Sequence, residues 1–264
     1  MSSVSGAPTV TQAQQGLEGQ VAIVTGGARG IGRSYCLGLA ASGCRVVVAD
    51  LSSADDVIDE IQAAGGEAIA TITDVSSAAS VDQMARTAVD RFGRIDILVN
   101  NAGYFRDAQR GVSFDELTEE EWERAFAVNV RGTWLTCKAA APTMKAQKSG
   151  RIVNVSSQVV MRGTAGFLHY VAAKAAIIGL TRAMARELGD YGIGVNAVAP
   201  DWIPHDLEYA SAHPEIDDRI VASRAFKRTM VPEDLVGTIL FLAGPGSRFI
   251  TGQTLLVNGG SVFQ

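Results

Sequence analysis

The chain has 264 residues, of which 47% are hydrophobic and 19% are charged, and it carries a formal net charge of −5 with a pI near 5.3. This is the composition of an ordinary globular protein, and the acidic balance excludes the basic surface that nucleic-acid binding needs. No apolar run approaches the roughly twenty residues of a membrane helix, so we expect neither a nucleic-acid nor a membrane partner.

The first segment in chain order, residues 1–18, is rich in Ser, Thr, Gln and Gly. It has no basic start and no apolar middle, so it does not resemble a signal peptide. We expect a flexible tail here. One domain is expected over residues 19–264, because no linker-like stretch interrupts the rest of the chain.

Short β-branched runs alternate with longer amphipathic segments along this domain. Seven runs are predicted to be strands: Val21–Thr25, Arg45–Ala49, Ala68–Ile72, Ile95–Val99, Arg151–Val155, Gly194–Val198 and Thr254–Val257. Helices are predicted between them at about 30–42, 54–64, 77–91, 118–147, 168–190 and 232–243. The pattern indicates an α/β fold, a Rossmann-like, doubly wound parallel sheet with helices on both faces. Ligands of such sheets bind beyond the carboxyl ends of the strands.

A glycine-rich turn links the first predicted strand to the first helix. Its glycines allow a tight bend and close approach of the backbone to a pyrophosphate, whose charge the helix N-terminus attracts. A glycine-rich turn without a ligand is the alternative. We place the residues of this turn in a dinucleotide site: Gly26, Arg29, Gly30, Ile31 and Gly32.

Asp50 ends the second predicted strand, and Leu51 follows it as a further expected cofactor contact. A carboxylate at this place can accept both ribose hydroxyls of NAD and would repel the 2′-phosphate of NADP. Arg29 could bind such a phosphate. No basic residue follows Asp50 as far as Asp56, so we expect NAD as the cofactor.

Asp74 and Val75 end the third predicted strand, where we expect them to receive the adenine edge of the cofactor. The alternative for Asp74 is a helix N-cap, a role for which Ser76 or Ser77 is also available.

The cysteines and histidines indicate no metal site and no disulfide framework. The three cysteines, Cys36, Cys44 and Cys137, are odd in number and scattered among small or apolar neighbours. We expect buried thiols in a reducing compartment, and therefore a cytoplasmic protein. The three histidines, His169, His205 and His213, have no metal-site spacing with the cysteines.

Tyr170 and Lys174 are four residues apart on a predicted helix, so their side chains project from one face. Ser157 lies thirteen residues before the tyrosine. A free phenol has a pKa of about 10, and a cation within roughly 4–6 Å favours the phenolate. Tyr170 could thus act as a general base near neutral pH. The alternative is a packed tyrosine beside a solvated lysine.

Several separated motifs occur in one order: Thr25–Gly32, Asp74, Asn100–Gly103, Asn129, Ser157, Tyr170 and Lys174. Together they resemble the short-chain dehydrogenase/reductase family, and the resemblance runs from about residue 19 to the C-terminus. It implies hydride transfer between NAD(H) and a CH–OH group. It also implies a homotetramer formed through the long helices at 118–147 and 168–190.

The resemblance implies a role for each site residue. Tyr170 would exchange a proton with the substrate oxygen, and Ser157 would hydrogen-bond that oxygen. Lys174 would bind the nicotinamide ribose and lower the pKa of the phenol. Asn129 would bend a helix and hold a water of the proton relay. The remaining cofactor contacts that we carry over are Asn101, Ala102, Gly103, Pro200 and Ile203.

The chain departs from the family after the sixth strand. Asp201 stands where the family usually has Gly, and His205 where it usually has a Thr that contacts the nicotinamide amide. Because a buried aspartate is costly unless it is paired, the effect of this change stays open. We expect the backbone of Ile203 to hold the amide instead, and we expect Ser156 to be structural.

Apolar and aromatic side chains surround the predicted site, and a substrate lid is predicted around 202–228. The residues of this lining are Tyr104, Phe105, Gln158, Val159, Phe167 and Trp202. They favour a hydrophobic or aromatic secondary alcohol or ketone as the substrate. The alternative is that these rings only pack the lid.

Two other functions stay open. An NADP-dependent ketone or acyl-carrier-protein reductase would carry the same motifs, although Asp50 argues against it. A non-catalytic dinucleotide sensor would have no need for Ser157, Tyr170 and Lys174 together.

Overall fold

The computed structural model describes residues 16–105, 111–204 and 214–263. Within them, seven parallel strands form one sheet in the order β3-β2-β1-β4-β5-β6-β7. The strands are β1 Val21–Thr25, β2 Arg45–Asp50, β3 Glu67–Ile72, β4 Ile97–Asn100, β5 Gly150–Val155, β6 Ile193–Pro200 and β7 Thr254–Val257. The predicted doubly wound α/β fold is confirmed. Residues 1–15 of the predicted tail lie outside the described residues.

Helices connect the strands and cover both faces of the sheet. They are α1 Gly30–Ala41, α2 Asp55–Ala63, α3 Ala78–Phe92, α4 Glu119–Phe126, α5 Gly132–Gln147, α6 Val159–Arg162, α7 Leu168–Leu188, α8 Pro214–Ser223 and α9 Glu233–Ala243. Short 3-10 helices occur at Gly189–Tyr191 and Pro245–Ser247. None of the helices in the described part of the chain combines the length and apolar character needed to cross a bilayer.

Two hydrophobic clusters lie on opposite faces of the sheet because successive strand side chains point to opposite sides. Ala22 and Val24 of β1 join one cluster with side chains of α1 and α9. Val21 and Ile23 join the other with side chains of α3, α5 and α7. All three cysteines are buried and free, as predicted.

The longest predicted helix, 118–147, differs from the observed structure. Its first part is α4, a π-helical turn at Ala127–Arg131 follows, and α5 continues from Gly132. One residue is thus inserted into the regular hydrogen-bond pattern, which periodicity cannot reveal over so short a distance. The short helix α6 and the helix α8 within the predicted lid were not predicted.

A chain of buried polar side chains crosses the middle of the sheet. Thr136 of α5 donates to Asn100 Oδ1 at 2.6 Å, and Asn100 Nδ2 donates to Asn154 Oδ1 at 2.9 Å. Asn154 then donates to the hydroxyl of Thr181 on α7 at 2.9 Å. Asn100 and Asn154 are direct partners in the β4–β5 register. These bonds satisfy groups that would be costly to bury alone.

The strand order reverses between β1 and β4, and the carboxyl ends of β1, β4, β5 and β6 lie side by side. Thr25 at the end of β1 is paired with Asn100 at the end of β4. A crevice at such a switch point is the usual ligand site of an open α/β sheet. The candidate site residues follow these strand ends.

Candidate active site

The glycine-rich turn after β1 adopts a backbone that only glycine tolerates well. Gly26 and Gly30 have φ angles of +66° and +54°. A Cβ atom on Gly32 would lie 2.0 Å from the carbonyl oxygen of Gly26, so α1 can approach the turn only because residue 32 has no side chain. By contrast, the space beside Gly30 is open, with no atom within 4 Å of a Cβ built there.

This turn fits the pyrophosphate of a dinucleotide. It combines a close-packed backbone with open space above Gly30 at the N-terminus of α1. The residue before the helix, Arg29, makes no side-chain capping bond and is exposed. The first amide groups of α1 are therefore not capped by that side chain, and helix N-termini of this kind attract anions.

Thr25 and Asn101 join the glycine turn to the end of β4. The Asn101 side-chain amide donates to the carbonyl oxygens of Thr25 and Gly26, both at 3.0 Å. In return, the Thr25 hydroxyl accepts the backbone N–H groups of Asn101 at 3.1 Å and Ala102 at 3.0 Å. The predicted cofactor residues Asn101 and Ala102 are thus held against the turn from the other side of the switch point.

The carboxylate of Asp50 lies directly beside the glycine turn. One oxygen accepts the backbone N–H of Ala28 and the other accepts that of Ser52, each at 3.0 Å. Asp50 is partly accessible, and the neighbouring Leu51 is 69% exposed. The carboxylate therefore stands at the end of β2, where the ribose of a dinucleotide seated on the turn would meet it.

Asp74 and Val75 follow β3 on the same edge. Asp74 Oδ1 accepts the backbone N–H and the hydroxyl of Ser76, at 2.8 and 2.7 Å. The N-cap of α3 is Ser77, whose hydroxyl accepts the backbone N–H of Ser80. The alternative of Asp74 as the N-cap is therefore wrong. Val75 is buried, and its side chain lies where a Cβ atom on Gly132 would clash with it.

Asn129 lies inside the π-helical turn and is buried. Its Nδ2 donates to the backbone oxygens of Tyr104 and Ala125 at 3.0 Å, and its Oδ1 accepts the N–H of Tyr104 at 3.2 Å. The side chain thereby holds the segment that follows β4. A Cβ atom on Gly103 would lie 3.1 Å from Asn129 Oδ1 and 3.5 Å from Lys174 Nζ, so this segment also lies against the lysine.

The structure brings Ser157, Tyr170 and Lys174 together at the end of β5. Ser157 lies close enough to the Tyr170 phenol to lower its pKa. Lys174 Nζ lies 5.6 Å from the centre of the Tyr170 ring and donates to the Val155 carbonyl at 2.9 Å. The neighbouring Ser156 donates to the Lys174 carbonyl at 2.8 Å and is buried, so its contacts are structural ones.

The pKa of Tyr170 differs from the sequence expectation. Burial raises the pKa of Tyr170 to about 12, and the hydrogen bond with Ser157 lowers it only in part. Burial also lowers the pKa of Lys174 to about 8. Loss of solvent disfavours both charged forms. The direction of the Tyr170 pKa shift is thus opposite to the expected one, and Lys174 is not among its causes.

A group of aromatic rings centred on Phe105 lies next to the ring of Tyr170. The ring of Phe105 lies 4.8 Å from that of Tyr170, 5.9 Å from Phe167 and 6.5 Å from Trp202, measured between centroids. We call Phe105, Phe167 and Trp202 the aromatic wall. Val159, also predicted as lining, is partly buried at the start of α6. Tyr104 faces Arg124, which donates to its hydroxyl at 3.2 Å.

Asp201, which stands where the family usually has Gly, is paired with a buried cation and is therefore not an isolated buried charge. Arg224 Nε donates to Asp201 Oδ2 at 2.7 Å, and both side chains are at most 2% exposed. The amide of Gln158 donates to Asp201 Oδ1, and the backbone N–H of Gln158 donates to the carbonyl of Pro200 at 3.0 Å. Gln158 is buried, with its Nε2 bound to Asp201 and its Oε1 without a hydrogen-bond partner among the described residues. Its contact with the substrate stays a prediction.

Pro200 ends β6, and Ile203, three residues later, is buried in the first hydrophobic cluster. His205 and the lid residues 206–213 lie outside the described residues. Sequence reasoning did not single out Arg224. A buried Asp201 requires a cation, but residues 202–228 contain four candidates, Arg219, Arg224, Lys227 and Arg228, so the sequence alone did not identify the partner. Among the described residues, no group of three or more His, Cys, Asp or Glu is placed to hold a metal ion.

A protein-family model described as enoyl-(acyl carrier protein) reductase matches residues 26–262. The chain is 45% identical over 251 residues to a 3-oxoacyl-(acyl-carrier-protein) reductase of Synechocystis sp., with 93% of this chain and 98% of the relative covered.

Two other relatives are 40% identical to the chain. One is the 3-oxoacyl-(acyl-carrier-protein) reductase FabG of Staphylococcus epidermidis, matched over 242 residues, which cover 90% of this chain and 97% of the relative. The other is the (2S)-((R)-hydroxy(phenyl)methyl)succinyl-CoA dehydrogenase subunit BbsD of Thauera aromatica, matched over 248 residues, or 93% and 97% of the two chains.

Proposed function

The chain belongs to the short-chain dehydrogenase/reductase family of oxidoreductases, and on this premise we propose that it interconverts a 3-oxoacyl thioester and a 3-hydroxyacyl thioester with NAD(H). The observation that carries the reaction type is the buried Lys174, which is held by the Val155 carbonyl with its Nζ 5.6 Å from the centre of the Tyr170 ring, beside Ser157. We further propose that the protein is cytoplasmic and homotetrameric.

The raised pKa of Tyr170 supports the reductive direction. At neutral pH the phenol is protonated, so it can donate its proton to a carbonyl oxygen as negative charge develops there. Ser157 would hydrogen-bond the same oxygen and orient the carbonyl toward Tyr170. A bound nicotinamide supplies the hydride. Lys174, held by the Val155 carbonyl, keeps a positive charge near the phenol as the proton leaves it.

The substrate class is supported by what the relatives' names share. Two relatives are named for a 3-oxoacyl group. The third is named for an acyl-CoA that carries a hydroxy(phenyl)methyl group on C2 of its succinyl chain. Counted from the thioester carbonyl as carbon 1, the hydroxyl is on carbon 3, as in a 3-hydroxyacyl group. These names favour the acyl thioester, given above as the alternative, over a free secondary alcohol. They give no support to a non-catalytic sensor.

The aromatic wall favours a second candidate, a free aryl ketone or its alcohol. Phe105 lies 4.8 Å from Tyr170 and carries Phe167 and Trp202 on its other sides. Rings placed in this way would pack against an aryl group at the reacting carbon. The phenyl group in the name of the Thauera relative is compatible with both candidates.

Initial rates separate the two candidates. Acetoacetyl-CoA and acetophenone are each reduced with NADH, and Tyr170→Phe serves as the control for contaminating activity. We expect kcat/KM to be more than about tenfold higher for the thioester, a difference of roughly 1.4 kcal/mol. A higher value for acetophenone would replace the first candidate with the second.

The cofactor assignment depends on Asp50. A 2′-phosphate would bring a second anion close to this carboxylate, so we expect NADH to exceed NADPH by at least about tenfold in kcat/KM. Asp50→Asn should reduce the difference between the two kcat/KM values, mainly by weakening the binding of NADH. Asp56→Asn, on the exposed first turn of α2, is the matched control and should leave the ratio unchanged. Equal rates with both cofactors in the unaltered protein would contradict the assignment.

A further inference from the structure

We propose that Asp201 and Arg224 are positioning residues that hold Trp202 in the aromatic wall and so set the fit of the group attached to the reacting carbon. The pair lies between the end of β6 and the chain that follows α8. Its effect on substrates rests on the proposed function, whereas its effect on Trp202 does not.

Each of the three guanidinium nitrogens of Arg224 donates a hydrogen bond. Besides its bond to Asp201, Nη2 donates to the carbonyl of Trp202 and Nη1 donates to the carbonyl of Arg228, both at 2.8 Å. Asp201 is fixed in turn through its backbone N–H, which donates to Val257 at 3.2 Å. One buried side chain therefore connects β6, Trp202 and the segment after α8. A lysine could not reproduce these three divergent bonds.

The direct link to the site is the peptide group of Trp202. Arg224 binds its carbonyl, while the indole ring lies 6.5 Å from Phe105. Phe105 in turn lies 4.8 Å from Tyr170. A shift of the Trp202 backbone would therefore move one side of the space next to the phenol.

Gln158 supplies a second link. It directly follows Ser157, and the charge of Asp201 fixes which end of its amide faces the carboxylate. As a result, Gln158 Oε1 is buried without a hydrogen-bond partner among the described residues. A buried acceptor without a partner is destabilising by about 1–3 kcal/mol. The arrangement is not the one that stability alone would favour, which supports a role in positioning.

The competing interpretation is that the pair only stabilises the fold. A buried ion pair often contributes little net stability, but removal of one partner is strongly destabilising. Loss of stability in a variant would therefore not distinguish the two roles. A test must therefore measure the position of the Trp202 side chain and the fit of the substrate.

Trp202 can report on its own position. In the background Trp122→Phe and Trp134→Phe, it is the remaining one of the three tryptophans. Emission maximum and acrylamide quenching are compared for the background protein, Arg224→Lys and Asp201→Asn. Arg228→Met is the matched control, because it removes an exposed ion pair with Asp234 from the same segment. We expect a red shift and stronger quenching in the first two variants but not in the control.

Substrate fit is then measured in the otherwise unaltered protein. KM is determined for benzoylacetyl-CoA and for acetoacetyl-CoA, which differ in the group on the reacting carbon. We expect Arg224→Lys to raise KM for the aryl thioester about tenfold more than for the methyl one. The Arg228→Met control should leave the ratio unchanged.

Each outcome decides the proposal. Unchanged Trp202 emission in Arg224→Lys would overturn it, and so would a shifted emission with an unchanged KM ratio. Asp201→Asn, which keeps a hydrogen-bond acceptor, replaces Arg224→Lys if that variant does not fold. If the wild-type protein reduces neither thioester, the proposed substrate class fails, and the emission measurement still tests whether the pair holds Trp202.

Discussion

At the scale of single residues, the phenol oxygen of Tyr170 is subject to opposing influences. Burial raises its pKa, and the Ser157 hydrogen bond lowers it. The result is an acid at neutral pH rather than a base. A reaction that ends with a protonated hydroxyl therefore suits this oxygen better than one that begins by removing a proton.

We predict that Tyr170→Phe removes turnover but leaves dinucleotide binding. The change deletes one oxygen and keeps the ring that contacts Phe105, so kcat should fall by roughly 10²–10⁴-fold. Steady-state rates give kcat, and titration of NADH fluorescence gives the dissociation constant. A variant that retained more than about a tenth of the wild-type kcat would exclude Tyr170 as the proton donor.

Lys174 should make stability depend on pH. Its pKa is about 8 in the folded protein and 10.5 for an ordinary lysine. Between these values the unfolded chain binds more protons at this site, so the free energy of unfolding rises with pH, by up to about 1.4 kcal/mol per unit. Lys174→Met should lack this rise. Tyr170, with its raised pKa, acts in the opposite sense above pH 10.

Urea denaturation at pH 8, 9 and 10 measures this contribution as the difference between the wild type and Lys174→Met. Lys138→Met changes an exposed lysine on α5 and is the control. A difference that stayed constant over this range would show that Lys174 is not destabilised by burial in the folded state.

Single residues were predictable where local geometry decides their place. The spacing of Tyr170 and Lys174 put both on one helix face, and the glycine turn required its glycines. The contact of Gln158 with Asp201 was not predictable, because the two residues lie 43 positions apart in sequence. The pKa of Tyr170 was misjudged for a related reason, since burial depends on the distant segments that cover it.

At the scale of elements, the π-helical turn at Ala127–Arg131 places Asn129 against the segment after β4. We predict that Asn129→Ala reduces kcat and destabilises the protein by about 1–3 kcal/mol, because two carbonyls and one N–H lose their partners. Thermal unfolding and steady-state kinetics measure the two effects.

Thr118→Ala provides the comparison on the same helix. It removes the capping box of α4, in which Thr118 and Glu121 bind each other's backbone, at a cost of about 1 kcal/mol. This variant should lose stability but keep kcat. If both variants kept kcat, the Asn129 side chain would have no part in positioning the site.

Element positions were predictable where apolar periodicity was strong. β1 and β7 have the predicted bounds, whereas β4 begins at Ile97 rather than Ile95. Just before Ile97, the backbone of Asp96 is hydrogen-bonded to Val21 and Arg151, and its carboxylate accepts the Val21 N–H and pairs with Arg94. The hydrophobic pattern does not show where the strand begins among such contacts.

At the scale of the whole molecule, the expected homotetramer is still a prediction. α5 presents Trp134 at 46% exposure with Lys138 above its ring, and such an aromatic residue is typical of a surface that can pair. Light scattering at micromolar concentration should give about four times the 27.7 kDa of the chain. Trp134→Glu should lower that mass, and a monomer in the unaltered protein would contradict the prediction.

The global fold was predictable because seven buried strands separated by helices leave few arrangements. The contacts of the segment that covers the site were less predictable than the fold. Arg224 joins two separate places in the chain, Asp201 with Trp202 and the carbonyl of Arg228. Sequence periodicity does not predict that one arginine makes all of these contacts.

The buried polar chain from Thr136 through Asn100 and Asn154 to Thr181 also bears on how the chain avoids misfolding. A slip of β5 by one residue would turn the Asn154 amide to the opposite face and leave the Asn100 amide without its partner. Valine or leucine at both positions would lack this hydrogen bond and its preference for one register. The hydrogen bond between the two asparagines therefore stabilises only one register of β4 and β5 at the centre of the sheet.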